Sequence, residues 1–249
     1  LRNHHIEKIA IVMNEHSWTQ ELIDDNSFYN VFKEFGYSIF DAEEQIHNHQ
    51  TKPEITDLLV GLFNIEENDV IIDPACGTGR VFEKIISVMD ESGKKTPYLY
   101  GFEVVHRVAS FHHMRSMLLG NEKHNIILGG MECIEEVPYE ADYVFFDPPL
   151  NDDALLNSFF ETIKFALKSS GKAITIVPTK ILSFKRESWR KLINENLIDI
   201  IINLPEQYDR MGLGKVKEDG VPIIPYPSSI IILDRSRKSN SKIRFFDAS

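Results

Sequence analysis

Only two cysteines occur in the 249 residues, Cys76 and Cys133, too few and too far apart for a disulfide framework or a four-ligand zinc set. A reducing compartment, the cytoplasm, is therefore expected. No apolar run approaches the roughly 20 residues that a membrane-spanning helix needs, and no secretory leader pattern opens the chain. Cations are in the minority: 27 Lys and Arg against 38 Asp and Glu leave a net charge of -11. That balance excludes broad nonspecific binding of nucleic acid by the whole surface, although a local basic face stays open. With DNA as substrate, most phosphate contact would fall to a partner or to further chain. Methionine is missing from the first position, which is Leu1, as expected of an excised domain. Repeats and low-complexity segments are also absent.

What is present suits one α/β domain with a substantial core. Residues 1–46 carry apolar positions at helical spacing, first Ile6, Ile9, Ala10 and Met13, then Leu22, Phe28, Val31, Phe32 and Phe35, and read as an N-terminal helical segment. A polar connection at 47–50 begins the main domain, expected over 47–249. His4, His5, His47 and His49 read as surface histidines rather than metal ligands. Thr51-Lys52-Pro53-Glu54 has the form of a capping box with proline in the first turn of a helix that runs through Leu58, Leu59 and Leu62.

The most informative stretch is 70–81. Val70, Ile71 and Ile72 are a β-branched run suited to a strand buried on both faces, and Asp73-Pro74 ends it. Gly77 and Gly79 then allow a sharp turn and close approach of backbone to a ligand before a helix begins near Val81. Phe82 stands where a nicotinamide-type loop has a third glycine. A second strand, Tyr98 to Phe102, delivers Glu103, 24 positions past Gly79 and placed to accept hydrogen bonds from both hydroxyls of a ribose. In the next helix, from His106 to Leu119, Val108, Phe111, Arg115 and Leu118 are spaced for a packed face, and His112-His113 reads as helix surface. A third strand, Asn125 to Leu128, leads into Gly129-Gly130-Met131-Glu132, and a fourth, Ala141 to Phe146, ends in Asp147-Pro148-Pro149-Leu150.

Asp73-Pro74-Ala75-Cys76-Gly77-Thr78-Gly79 resembles the S-adenosylmethionine loop of class I methyltransferases, in the form found in N6-adenine DNA methyltransferases. It is most similar to that of the modification subunits of type I restriction systems. The resemblance implies that Asp73 meets the cofactor's ammonium group, that Pro74, Ala75, Cys76, Gly77 and Gly79 shape its cradle, and that Glu103 holds the ribose. Thr51 is similar to the threonine of a Thr-Pro element that covers the methionine end, with Lys52 inserted before the proline. Where the family has Gly-Asp or Gly-Asn against the cofactor adenine, this chain has Met131 and Glu132. Asp147-Pro148-Pro149-Leu150 resembles the family's (Asp/Asn)-Pro-Pro-aromatic motif. An adenine amine is a poor nucleophile because its lone pair is delocalised, and acceptors at the Asp147 side chain and the Pro148 carbonyl favour a pyramidal nitrogen. Pro149 holds that carbonyl in place, and Leu150 replaces the ring that stacks on a flipped base.

Further on, a helix from Leu155 to Leu167, a turn at Ser169-Ser170-Gly171-Lys172 and a strand from Ala173 to Val177 are expected. A charged helix from Lys180 to Asn196 and strands at 197–204 and 228–233 follow, with a long loop at 206–227 that holds Tyr208 and Tyr226 as substitute stacking rings. The fold expected is one doubly wound, mostly parallel α/β sheet of seven strands, Rossmann-like, with the last strand antiparallel. Three functions fit: an adenine-N6 DNA methyltransferase using S-adenosylmethionine, with DNA, a specificity subunit and a restriction subunit as partners; a noncatalytic methyltransferase-like subunit; or methylation of another planar amine or amide.

Overall fold

The computed structural model describes residues 51, 53–118, 123–147, 153–179, 182, 187–205, 227–238 and 241–248. The proposed N-terminal segment 1–46, the motif residues Pro148, Pro149 and Leu150, and the loop tyrosines Tyr208 and Tyr226 lie outside them. Helix α1 (Pro53–Gly61) precedes strand β1 (Val70–Asp73), α2 (Arg80–Glu91), β2 (Tyr98–Glu103), α3 (His106–Leu118) and β3 (His124–Leu128). A 3-10 turn (Met131–Glu136) leads to β4 (Ala141–Phe146), α4 (Asp153–Ala166), β5 (Leu167–Pro178), α5 (Glu187–Asn194), β6 (Ile198–Asn203), β7 (Ser228–Asp234) and β8 (Arg244–Asp247).

These strands form one sheet in the order β3-β2-β1-β4-β5-β7-β6-β8. β7 runs antiparallel to both neighbours and the other pairings are parallel. Among the described residues the sheet therefore has eight strands rather than the seven expected. The additional one, β8, is a four-residue edge strand parallel to β6 and exposed along its whole length. Its Arg-Phe-Phe-Asp sequence has neither alternation nor a buried run, so only its pairing makes it a strand.

Apolar side chains fill both faces. Ile72, Tyr100, Phe102, Val144, Phe146, Phe159 and Ile163 belong to one buried cluster. Ile71, Leu99, Phe145 and Ile174 join Leu59, Phe82, Ile85 and Met89 of α1 and α2 in the other. Alternation along each central strand sends successive residues to opposite clusters, which is why β1 reads as a continuous apolar run. Helix α2 closes with Gly93 at φ 67°, where the Gly93 N–H donates to Asp90 O and the Lys94 N–H to Met89 O, satisfying the last carbonyls.

One boundary moves. The expected turn at Ser169-Ser170-Gly171-Lys172 lies inside β5: Ala141 pairs with Leu167 but Tyr143 with Lys172, so three extra residues bulge from the strand while its ladder resumes. The charged helix expected from Lys180 to Asn196 is described over Glu187–Asn194, and Lys180 lies outside the described residues.

Phe159 is fully buried and its ring stacks on Phe146, with centroids 3.9 Å apart, just before Asp147. Phe159→Ala is expected to cost about 3–5 kcal/mol of unfolding free energy through lost burial and a cavity, read as a lower urea midpoint at unchanged m-value.

Candidate active site

In open α/β sheets, ligands bind outside the carboxyl ends of the strands where the strand order reverses. Here the reversal falls between β1 and β4, which pair directly, while β2 follows on the other side of β1. Asp73 ends β1, Glu103 ends β2 and Asp147 follows β4, so the three expected carboxylates share one edge of the sheet.

The glycine loop is held from several sides. Cys76 N–H donates to Phe102 O at 2.9 Å, tying the loop to the end of β2, and Gly79 N–H donates to Cys76 O at 2.9 Å. Gly77 and Gly79 have φ of 53° and 85°, the left-handed region that glycine occupies without penalty. A Cβ on Gly77 would meet nothing within 4 Å, so backbone angle alone selects glycine there. At Gly79 a Cβ would also lie 2.1 Å from Nε2 of His112, so space and angle both require glycine.

Asp73 is 4% exposed, and one carboxylate oxygen accepts from the Ala75 N–H at 3.0 Å. Burial is the main reason its carboxyl is pushed up to about 7; the Ala75 bond opposes this and the nearby Glu103 charge adds to it. Glu103 is likewise raised by burial, against backbone N–H donors at Val105, Gly77 and Val104; the Val105 bond is 2.7 Å. Two carboxyls both resisting ionisation make a pocket suited to a cationic ligand group. Val104, Val105 and Leu128, beside Glu103 and at the end of β3, are exposed apolar side chains at the same edge.

Met131 and Glu132 part company. Met131 is buried in the core with Phe102, whereas Glu132 is exposed and accepts from the Gly130 N–H at 2.9 Å, folding back on its own turn. Thr51 stands elsewhere than a helix-capping role suggests. Helix α1 begins at Pro53, and the Thr51 hydroxyl donates to Oδ2 of Asp147 at 2.5 Å, across 96 residues of chain. Pro74 is buried beside Asp73, and Ala75 packs against the apolar cluster that contains Met131.

A buried layer lies beneath the loop; Arg115 was expected on this packed face, whereas His112 was not. His112, expected on the helix surface, is 1% exposed, and its Nδ1 lies 3.3 Å from the Cys76 thiol. Its ring meets those of His124 and Phe82, with centroids 4.9 and 5.7 Å away. The buried Arg115 guanidinium donates to the Thr78 carbonyl and to the Glu83 carboxylate, clamping the loop to the first turn of α2. Arg115, four positions after Phe111, was read as part of the packed face by that spacing; His112 lies four positions after Val108, and the same helical spacing was the signal available for it. Burial lowers both histidines, His124 to about 3, and keeps the Cys76 thiol protonated and unreactive. Among the described residues no group of three or more His, Cys, Asp or Glu is arranged to hold a metal. A separate cleft of about 220 Å³ is lined by Pro53, Thr56, Asp57, Arg80, Glu83, Lys84 and Ser87, and none of the strand-end carboxylates lines it.

The residues fit an S-adenosyl cofactor: a left-handed glycine cradle, a buried carboxyl for an ammonium, a second carboxyl at the end of β2 for hydroxyls, and apolar side chains beyond it. Residues 40–162 match the family model N-6 DNA Methylase. The chain is 24% identical over 237 residues to the type I restriction enzyme MjaVII methylase subunit of Methanocaldococcus jannaschii, covering 80% of this chain and 38% of that protein. It is 26% identical over 176 residues to the type II restriction enzyme and methyltransferase RM.BcgI of Heyndrickxia coagulans, covering 62% and 28%. The chain thus spans well under half the length of these curated relatives. Among solved structures, the type I restriction-modification system methyltransferase subunit from Streptococcus thermophilus superposes with a TM-score of 0.63 at 18% identity, covering 88% of this chain and 52% of that one. The fold is that of class I methyltransferases, and the resemblance to N6-adenine methyltransferases extends beyond the short motifs.

Two pH dependences follow. A carboxyl raised in the folded state contributes fully below its unfolded value near 3.8 and loses that contribution as pH rises through about 7, which costs the ligand-free protein up to about 4 kcal/mol. Asp73→Asn is therefore expected to raise the thermal midpoint, and by more near pH 8 than near pH 4; an increment independent of pH would contradict the burial argument. His124 acts at the other end: its neutral ring favours the fold above the ordinary histidine value of 6.5, and that contribution is lost as pH falls toward about 3. His124→Leu should flatten the acid limb of stability below about pH 6, measured by urea unfolding at successive pH values.

Proposed function

We propose that this chain is the catalytic domain of an adenine-N6 DNA methyltransferase from a restriction-modification system, using S-adenosylmethionine and acting with a separate DNA-specificity subunit in the cytoplasm. The observation that carries the reading is the shared edge of the sheet, with Asp73, the glycine loop and Glu103 beside Asp147 at the strand-order reversal. The match to the N-6 DNA Methylase family supports it. The restriction enzymes that the chain resembles support the choice of partner.

In this reading Asp73 pairs with the cofactor's ammonium, replacing a buried unpaired carboxyl with an ion pair, while Glu103 accepts from its ribose hydroxyls. The glycine turns let the loop backbone come close, and Val104 and Leu128 offer apolar walls to the adenine in place of the missing Gly-Asp side chain. S-adenosylmethionine supplies an electrophilic methyl group on a sulfonium. Asp147 accepts one N–H of the target amine and the Pro148 carbonyl accepts the other, so the nitrogen lone pair is drawn out of conjugation and aimed along the transfer axis. Leu150 gives the base an apolar contact instead of a stacked ring, and stacking contributes about 1–3 kcal/mol per base. Its loss favours a second reading, a subunit that binds cofactor but transfers weakly by itself.

The deciding assay is radiolabelled methyl transfer to genomic DNA free of adenine methylation, with and without the specificity subunit. Asp147→Ala is expected to reduce incorporation at least about a hundredfold while leaving the cofactor dissociation constant within about threefold, since an acceptor-side group acts on the transition state. Leu150→Tyr is expected to raise incorporation. Absence of cofactor binding at millimolar concentration would sink the enzyme reading.

A further inference from the structure

Thr51 was expected to touch the cofactor, yet its hydroxyl is 2.5 Å from Oδ2 of Asp147, in a partly buried contact. A carboxylate turns readily about its last side-chain bond, and the oxygen facing an acceptor amine must lie in the plane of the amine's N–H. A hydroxyl donor on one carboxylate oxygen restricts that rotation and so helps to set the plane in which an acceptor amine is met. The donor must itself be held by something rigid. Thr51 lies two residues before Pro53, the start of α1, and α1 is anchored by Ile55, Leu59 and Val60, all buried against α2 and the sheet. Thr51 thus stands two residues from the start of a packed helix, and its contact with Asp147 joins that region to the end of β4.

We propose that Thr51 is a positioning residue for the acceptor carboxylate, orienting Asp147 toward the target amine, and not a ligand of the cofactor. The inference rests on the function proposed above. It makes the segment ahead of the glycine loop part of the acceptor machinery, so that seating of α1 and alignment of Asp147 are a single event. A hydrogen bond to a charged group that exists only to aim it is expressed in the rate of transfer and not in the affinity for the methyl donor.

The test compares Thr51→Val, which keeps shape and removes the donor, with Thr51→Ser, which keeps the donor, in the full chain together with its specificity subunit. Thr51→Val is expected to lower kcat about ten- to a hundredfold, the range for losing a hydrogen bond to a charged group, with cofactor affinity by calorimetry within about twofold of wild type. Thr51→Ser should recover most of kcat, and the thermal midpoints of the three proteins should agree within a few degrees. A parallel loss of cofactor affinity in Thr51→Val would overturn the proposal by making Thr51 a cofactor ligand. Equal activity of Thr51→Val and wild type would overturn it too, while leaving the methyltransferase reading standing. A wild-type protein that binds cofactor but transfers no methyl group with its subunit removes the parent reading, and this inference with it.

Discussion

A carboxyl buried at the end of a parallel strand is expensive unless something compensates it, and among the described residues Asp73 receives only the Ala75 N–H from its own turn. Glu103, at the end of the neighbouring strand, adds like charge instead of relieving it. The protein holds this arrangement against electrostatic cost because β1 is sealed on both faces by Ile71 and Ile72 and paired on both edges. The apolar sheet thus supplies the rigidity with which a destabilising group is presented to a ligand. Binding a cation there converts a burden on the fold into affinity, a common relation between stability and function.

Rigidity of the loop itself depends on α3. Arg115 reaches from that helix to the Thr78 carbonyl and to Glu83 of α2, and His112 fills the volume beneath Gly79 that any other residue would contest. The buried guanidinium has a carboxylate partner in Glu83, so removing Glu83 would take away part of what compensates a buried charge. The glycine loop is accordingly a three-element object, built from the β1 end, the α2 start and the inner face of α3.

Most of the sheet was legible because its strands are short β-branched or aromatic runs that end in Asp-Pro, Gly-Phe-Glu or Asp-Pro-Pro, and those ends put Asp73, Glu103 and Asp147 at one edge of the sheet. What escaped notice was governed by partners instead of by local pattern. β8 is exposed, so no periodicity marks it, and it exists through its ladder with β6. Ser169 to Lys172 has the composition of a turn and is one in miniature, a bulge absorbed within β5. His112 looks polar in sequence but is buried, because a neutral imidazole fits beneath a glycine where a larger or charged group would not. The Thr51–Asp147 contact joins residues 96 positions apart, a separation over which no sequence pattern speaks.

Three acids, Asp73, Glu103 and Asp147, meet at one edge of the sheet in a chain whose net charge is already -11. Such an edge attracts a sulfonium or ammonium and repels a phosphate backbone, so the two substrates of the proposed reaction make opposite electrostatic demands on one crevice. They are reconciled when only the neutral base enters the crevice while its phosphates stay outside the field of the acids, which is what extrusion of the target nucleotide accomplishes. The cations that grip the backbone then belong on a different surface, at least a Debye length of about 8 Å away at physiological salt. Under the function proposed above, dividing sequence recognition from methyl transfer between separate subunits would meet that requirement: the partner would carry the positive surface that DNA needs, and this domain the acidic edge that a cationic cofactor needs.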